Sequence, residues 1–199
     1  MFGKKILLTT ITGLFIASFS IPALAVMSLA DGWYVDGSLG TTRLSNKSYP
    51  GSSSTTGLSG DANLGYKFMP FFGAEVGYTQ YGSTNIKDQF GTKAAEDRHY
   101  SYDLAGKGII PISSSGFELF GKLGVQRTQS KVTIKNSTAA TNIGITSSRH
   151  SNVGLYLGAG AQYYFMPEMS VFIQWARANN DSNTGTMDFY GAGLSFIFG

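Results

Sequence analysis

The chemistry this 199-residue chain could perform starts from its two histidines. His99-x-Ser101-x-Asp103 has the alternate spacing that puts imidazole, hydroxyl and carboxylate on one face of a β-strand. A serine hydrolase needs that coincidence, with the acid orienting the imidazole and the imidazole taking the serine proton. His150-Ser151-Asn152 lacks it, because adjacent strand residues point to opposite faces. Cysteine is absent, which removes thiolate nucleophiles, thiolate metal sites, disulfides and a lipid-modified N-terminal cysteine. No His, Asp and Glu spacing reads as a metal site, and no cofactor is expected.

The elements that would hold these groups follow from a period of two. Eight segments, 33–39, 62–68, 72–78, 100–110, 117–125, 153–165, 169–175 and 190–198, alternate apolar with polar or small residues. The apolar phase holds no charged residue. The opposite phase holds Asp36, Asp61, Lys67, Glu75, Asp103, Lys107, Glu118 and Lys122, with Asn63, Gln126, Gln162 and Gln174. Glycine, at 26 residues, is far above the ordinary share of about 7%, and no downstream apolar run approaches the ~20 residues of a spanning helix.

Such strands build either a soluble sandwich, with apolar faces meeting inside, or a membrane barrel, with apolar faces turned to lipid. Connection lengths favour the barrel. Residues 69–71, 111–116 and 166–168 are short, whereas 83–97 and 129–151 are long, as in barrels with tight periplasmic turns and long outer loops. Aromatics agree: Tyr66, Phe68, Phe72, Phe117, Tyr163, Phe165, Phe196 and Phe198 gather at the short turns. Trp33, Tyr78, Tyr100, Tyr102, Trp175 and Tyr190 lie nearer the termini or long loops, giving two girdles. The expected fold is an all-β, closed, antiparallel, eight-stranded up-and-down transmembrane β-barrel.

That fold aims the polar phase into the lumen. Glu75, Lys107 and Lys122 are expected at similar heights as an ion-pair network, with Asp103 above and Lys67 below. An eight-stranded barrel is just wide enough for its side chains to fill it, so these charges read as a plug; the other reading is a narrow channel for small solutes. Inner glycines such as Gly65, Gly77, Gly124, Gly158 and Gly160 leave room for larger side chains. Tyr100 and Tyr102 take the lipid face, so His99, Ser101 and Asp103 point inward, away from any lipid substrate. No catalytic residue is assigned.

Arg43, Arg127 and Arg177 keep the outward phase above the apolar band. They read either as contacts to lipopolysaccharide phosphates or as solvated bases. The Ser/Thr/Gly-rich stretch 45–57 and the segment 129–151 read either as displayed binding loops, open to a host surface ligand, or as disordered, solvated tips.

The N-terminus reads as an export signal. Lys4 and Lys5 precede an apolar stretch over 6–19, and Ala23-Leu24-Ala25 is a small-x-small cleavage site; Ser28-Leu29-Ala30 is a second. Residues 1–25 are therefore expected as signal peptide and 26–199 as the barrel domain. The +3 charge of the chain includes both signal lysines and no signal acid, so the mature domain is almost neutral. Near neutrality and export both argue against a nucleic-acid partner.

Specific residues carry a family resemblance. Asp31-Gly32-Trp33-Tyr34-Val35-Asp36-Gly37-Ser38-Leu39-Gly40 opens the mature chain, and Gly65-Tyr66-Lys67-Phe68 precedes the first turn. Phe120-Gly121-Lys122-Leu123-Gly124-Val125 lies in strand five, and Gly193-Leu194-Ser195-Phe196-Ile197-Phe198 closes the chain. This resembles the OmpA-like eight-stranded outer-membrane β-barrel family, without its peptidoglycan-binding domain. The resemblance implies placement in the outer membrane of a Gram-negative bacterium, among its lipids and lipopolysaccharide. It also implies an assembly signal at Gly193, Phe196 and Phe198, read by the barrel assembly machinery; Gly199 departs from the terminal aromatic of most members. Some barrels of this size modify lipid A. The His-x-Ser-Asn context facing lipid that the deacylases use is not met. The expected function is structural and surface-interacting.

Overall fold

Alternating side chains become strands here because each strand can satisfy both of its faces. The computed structural model describes residues 31–112 and 115–199; the expected signal peptide lies outside them. In chain order the elements are β1 (Gly32–Ser45), β2 (Ser52–Thr56), β3 (Ser59–Met69), β4 (Phe72–Gln80), β5 (Ser83–Lys87), β6 (Lys93–Ile112), β7 (Phe117–Ile134), α1 (Ser137–Asn142), β8 (Ser148–Tyr164), β9 (Met169–Ala178) and β10 (Thr186–Phe198).

Eight of the strands form a ring. β6 pairs with β4, and the order continues through β3, β1, β10, β9, β8 and β7, which pairs back with β6. Every pairing around the ring is antiparallel. The first and last strands seal it over a long register, Trp33 opposite Phe198 through Ser45 opposite Thr186. Within the ring, closure leaves no strand edge with unpaired N–H and C=O groups, which hydrocarbon requires. β2 and β5 are not in the ring; they pair with each other, and β5 continues onto the outer part of β6.

Burial follows the alternation. Leu39, Leu64, Val76, Leu104, Leu119, Leu123, Val153, Ile173 and Leu194 are exposed on the outside, while Asp36, Lys67, Glu75, Lys107, Glu118 and Lys122 are buried inside. A soluble protein would reverse this. Aromatics ring the short-turn end in contacting groups, Trp33–Tyr66–Phe68–Phe72, Phe117–Tyr163 and Phe196–Phe198. Trp33 belongs to this girdle and not to the upper one, because the chain enters the barrel from the short-turn side. At the other end Tyr78, Tyr100 and Tyr102 pack together.

The strands outrun the membrane. The 20 residues of β6 span roughly 65 Å at a rise of ~3.3 Å, far more than a tilted strand needs to cross a band of about 25 Å. In β6 the crossing part runs over 100–110, and 93–99 rises outside. The long connections are thus largely strand: 83–87 is β5, and β7 and β8 fill both sides of 129–151. They are not loose tips. Ile86, Ala95 and Val132 form a small apolar core with Tyr49, Ile143 and Ile145, and Ala94 packs on Ala139 and Ala140 of α1. Asn136 caps that helix by accepting from the Ala139 N–H.

Candidate functional site

The inner face of the barrel is built by parity and filled in layers. Lys122 on β7 reaches Glu75 on β4 over the inner face of the intervening β6 at 2.6 Å, and the Tyr34 hydroxyl of β1 donates to the other Glu75 oxygen at 2.9 Å. Lys107 lies 4.0 Å from Asp36, its ammonium 4.8 Å above the Tyr34 ring and 4.6 Å from the Phe120 ring centre. Nearer the short turns, Lys67 lies 3.7 Å from Glu118, which accepts from Gln162. Toward the outside, Asn63 donates to Asp36 and Asp61, and Gln174 and Ser38 also donate to Asp61.

The five charges singled out by sequence therefore do not form one cluster. Lys122 and Glu75 meet directly, Lys107 and Lys67 take other carboxylates, and Asp103 has no hydrogen-bond partner among the described residues. Sequence reasoning placed Asp36 and Glu118 on the inner face but not in the network, and it missed Tyr34. Parity gives the face; the height at which two strands meet depends on the stagger of the closed ring, which parity does not contain.

Among these charges and toward the outer end, an apolar cluster packs on the inner face. Tyr81, Ala105, Tyr156, Ala176, Ala178, Met187 and Phe189 pack together, all buried. Beyond it lies a roof that the sequence pattern did not reveal. Asp97 on the outer part of β6 accepts from Lys47 and Tyr49, both at 2.7 Å, and from Ser130 at 2.8 Å; His99 Nε2 is 3.3 Å away. Burial alone would raise the Asp97 pKa, but charge on His99 and Lys47 and the donated hydrogen bonds hold it below the usual carboxylate value. Burial and the same carboxylate push the Tyr49 hydroxyl upward. The signal for this roof was faint: Lys47, Tyr49 and Asp97 lie far apart in sequence, in stretches without a clean period. A cleft of about 200 Å³ opens over the roof, lined among others by Lys47, Tyr49, His150, Ser182 and Asn183.

His99 and Ser101 are fully buried in the lumen wall with Asp103, and Ser101 meets the Tyr81 hydroxyl at 3.0 Å. His150 is exposed at the cleft. Of the rim arginines, Arg177 is bound through two nitrogens to Asp188, at 2.7 and 3.0 Å, and Asp188 also faces Arg43 across the β1–β10 pairing. Arg127 is exposed on β7 between Tyr102 and Val153. Gly193 sits where a Cβ would lie 2.1 Å from the Gly37 carbonyl oxygen, and Phe196 and Phe198 stack at 5.9 Å on the outer face.

A sealed ring of eight antiparallel strands, apolar outside, polar inside and girdled by aromatics, defines a transmembrane β-barrel of the outer-membrane type. Residues 11–198 match the family model described as outer membrane protein beta-barrel domain. The chain belongs to that family, and its place is the outer membrane of a Gram-negative bacterium. Among solved structures, Neisserial surface protein A superposes with a TM-score of 0.59 at 14% identity, over 85% of this chain and 99% of that one. The N-terminal β-barrel domain of Pseudomonas aeruginosa OprF gives 0.57 at 13%, over 85% and 99%. Ail, the attachment invasion locus protein of Yersinia pestis, in complex with the heparin analogue sucrose octasulfate, gives 0.56 at 14%, over 85% and 100%. At these identities the likeness is one of fold. An uncharacterized protein of Coxiella burnetii is 26% identical over 69% of this chain, and the match spans 59% of that protein.

Proposed function

We propose that this protein is a plugged outer-membrane barrel whose work is done by its extracellular cap, as a structural and surface-interacting protein. The observation that carries this reading is the set of buried, mutually engaged side chains inside the ring, under a folded roof. Three buried lysines are matched by carboxylates, an apolar cluster packs among and beyond them, and Lys47, Tyr49, Asp97 and Ser130 are tied at the outer end. A channel needs a continuous wet path, and buried, mutually engaged side chains in these layers favour a plug over one.

The cap offers a cleft with a cation, an aromatic ring, an imidazole and several hydroxyl and amide groups, a set suited to a sugar-bearing surface ligand. The complex of the fold-related Ail with a heparin analogue is consistent with that class. No catalysis is proposed, because the His99–Ser101–Asp103 series is enclosed in the lumen wall. Export through the 1–25 signal, assembly through Gly193, Phe196 and Phe198, and contact of Arg43, Arg127 and Arg177 with lipopolysaccharide phosphates complete the proposal.

The test is binding of barrel in lipid vesicles to host cells and to immobilised heparin, with His150→Ala/Asn183→Ala beside the parent. Weaker binding with an unchanged strand signal in circular dichroism is the expected result. Equal binding by both would contradict a role for the cleft.

A further inference from the structure

One outer face of the barrel carries charge that neither the plug nor the roof uses. Strand register sets Arg98 opposite Lys131 and Lys131 opposite Arg149, so three cations lie side by side across β6, β7 and β8. All three side chains are exposed, on the outward phase. Like charges directly opposite on neighbouring strands repel and cost stability unless an anion lies between them. Just below, Tyr100 is opposite Gln129, and Arg127 is opposite Tyr102. Arg149 is braced at this level, donating to Gln129 at 2.6 Å and to the Tyr100 hydroxyl at 3.1 Å. Glu96 is the carboxylate of this face, and it is engaged by Lys93, Arg98 and Lys135 at 2.8, 2.7 and 3.7 Å. On the opposite side, by contrast, Arg177 is bound to Asp188, which also stands opposite Arg43 in register.

We infer that the Arg98–Lys131–Arg149 row, with Arg127 beneath it, is a one-sided binding site for the phosphates of lipid A in the outer leaflet. Height selects this source of anion. Four residues separate Arg98 from Tyr102 in the upper tyrosine girdle, roughly 10 Å along the membrane normal for a strand tilted by about 40°. The row thus stands at headgroup level and faces sideways into the leaflet, whereas the cleft of the cap opens upward. Two of its three members are arginines, which grip phosphate oxygens through two nitrogens. The inference deepens the proposed contact with lipopolysaccharide and rests on it, adding to Arg43, Arg127 and Arg177 a denser cluster on β6–β8 that carries most of the binding.

Native mass spectrometry of the full-length barrel in detergent tests the assignment, with diphosphoryl lipid A, dephosphorylated lipid A and heparin as probes. R98Q/K131Q/R149Q is expected to lower diphosphoryl lipid A binding about tenfold or more, from the loss of several charge-assisted hydrogen bonds. R43Q/R177Q, at a contact already offset by Asp188, should lower it by a clearly smaller factor, and R98K/K131R/R149K, which keeps every charge but leaves one two-nitrogen grip in place of two, should fall between the parent and the triple glutamine variant. Circular dichroism of each variant confirms that the strands are intact. Unaltered lipid A binding by the triple variant, or equal binding of dephosphorylated lipid A, overturns the inference. So does a triple variant that loses heparin alone, which would make the row a receptor for polyanions from the aqueous side. If the parent binds no lipid A, the broader contact fails with it; if only R43Q/R177Q loses binding, that contact stands and this site does not.

Discussion

Lys122 and Glu75 show what a buried charge requires in this lumen. Both are almost wholly buried, 2.6 Å apart, with Tyr34 supporting the carboxylate. Removing one partner leaves the other charged and unmatched, so Glu75→Gln or Lys122→Met should destabilise the barrel by about 3–5 kcal/mol. Replacing both by apolar residues of similar size should cost much less. Denaturant unfolding in detergent micelles measures the cycle; additive losses would show that the pair is not coupled. The same crowding explains the inner glycines. A Cβ at Gly65 would sit 2.2 Å from Cζ of Tyr34, and one at Gly160 would sit 2.4 Å from Cζ of Phe120. Gly65→Ala should therefore displace Tyr34 from Glu75 and lower stability, although alanine is otherwise a harmless change. At this scale the sequence disclosed which face each residue takes, since parity is local. It did not disclose that Lys107 meets Asp36 or that Lys67 meets Glu118.

Among the elements, the outer halves of β6, β7 and β8 hold the least legible part of the molecule. Their apolar residues are short runs such as Ala94-Ala95, without the alternation that marks the crossing parts, because one side packs on α1 and the other on Ile86 and Val132. A stretch buried on both sides loses its period of two. The Asp97 knot ties this cap to the barrel, and its pH dependence has a definite sign. Its carboxyl titrates below the unfolded value of about 3.9, so its contribution is complete above that pH and is lost as pH falls through the folded value. Glu96, held down to about 2 by hydrogen bonds from Lys93 and Arg98, acts in the same direction. Burial pushes the His99 imidazole down to about 4, so it takes up a proton on opening at any pH below its unfolded value of about 6.5. Amide exchange in the cap should thus be flat from pH 8 to about 7, after correction for intrinsic rates, rise below about 6.5, and rise further below about 4 as the carboxylates protonate. Asp97→Asn should loosen the cap at neutral pH by about 1–3 kcal/mol while the crossing strands stay protected. Cap exchange unaffected by the variant would show that the knot does not hold it.

For the whole molecule, the uncharged outward phase and the short turns made the barrel readable, because a membrane imposes its demands on every strand. Two additions came only with closure: the stagger that decides which lumen charges meet, and the strand extensions that turn the long connections into a folded cap. Both bear on the central claim, that this is a sealed pedestal for its extracellular end and not a pore. Planar-bilayer recording of the refolded barrel tests that claim most directly. No stable unitary conductance is expected at neutral pH, with openings arising in a Lys122→Ala/Glu75→Ala/Phe189→Ala variant that removes side chains from two layers of the inner face. Steady, sizeable single-channel currents from the unaltered protein would contradict it.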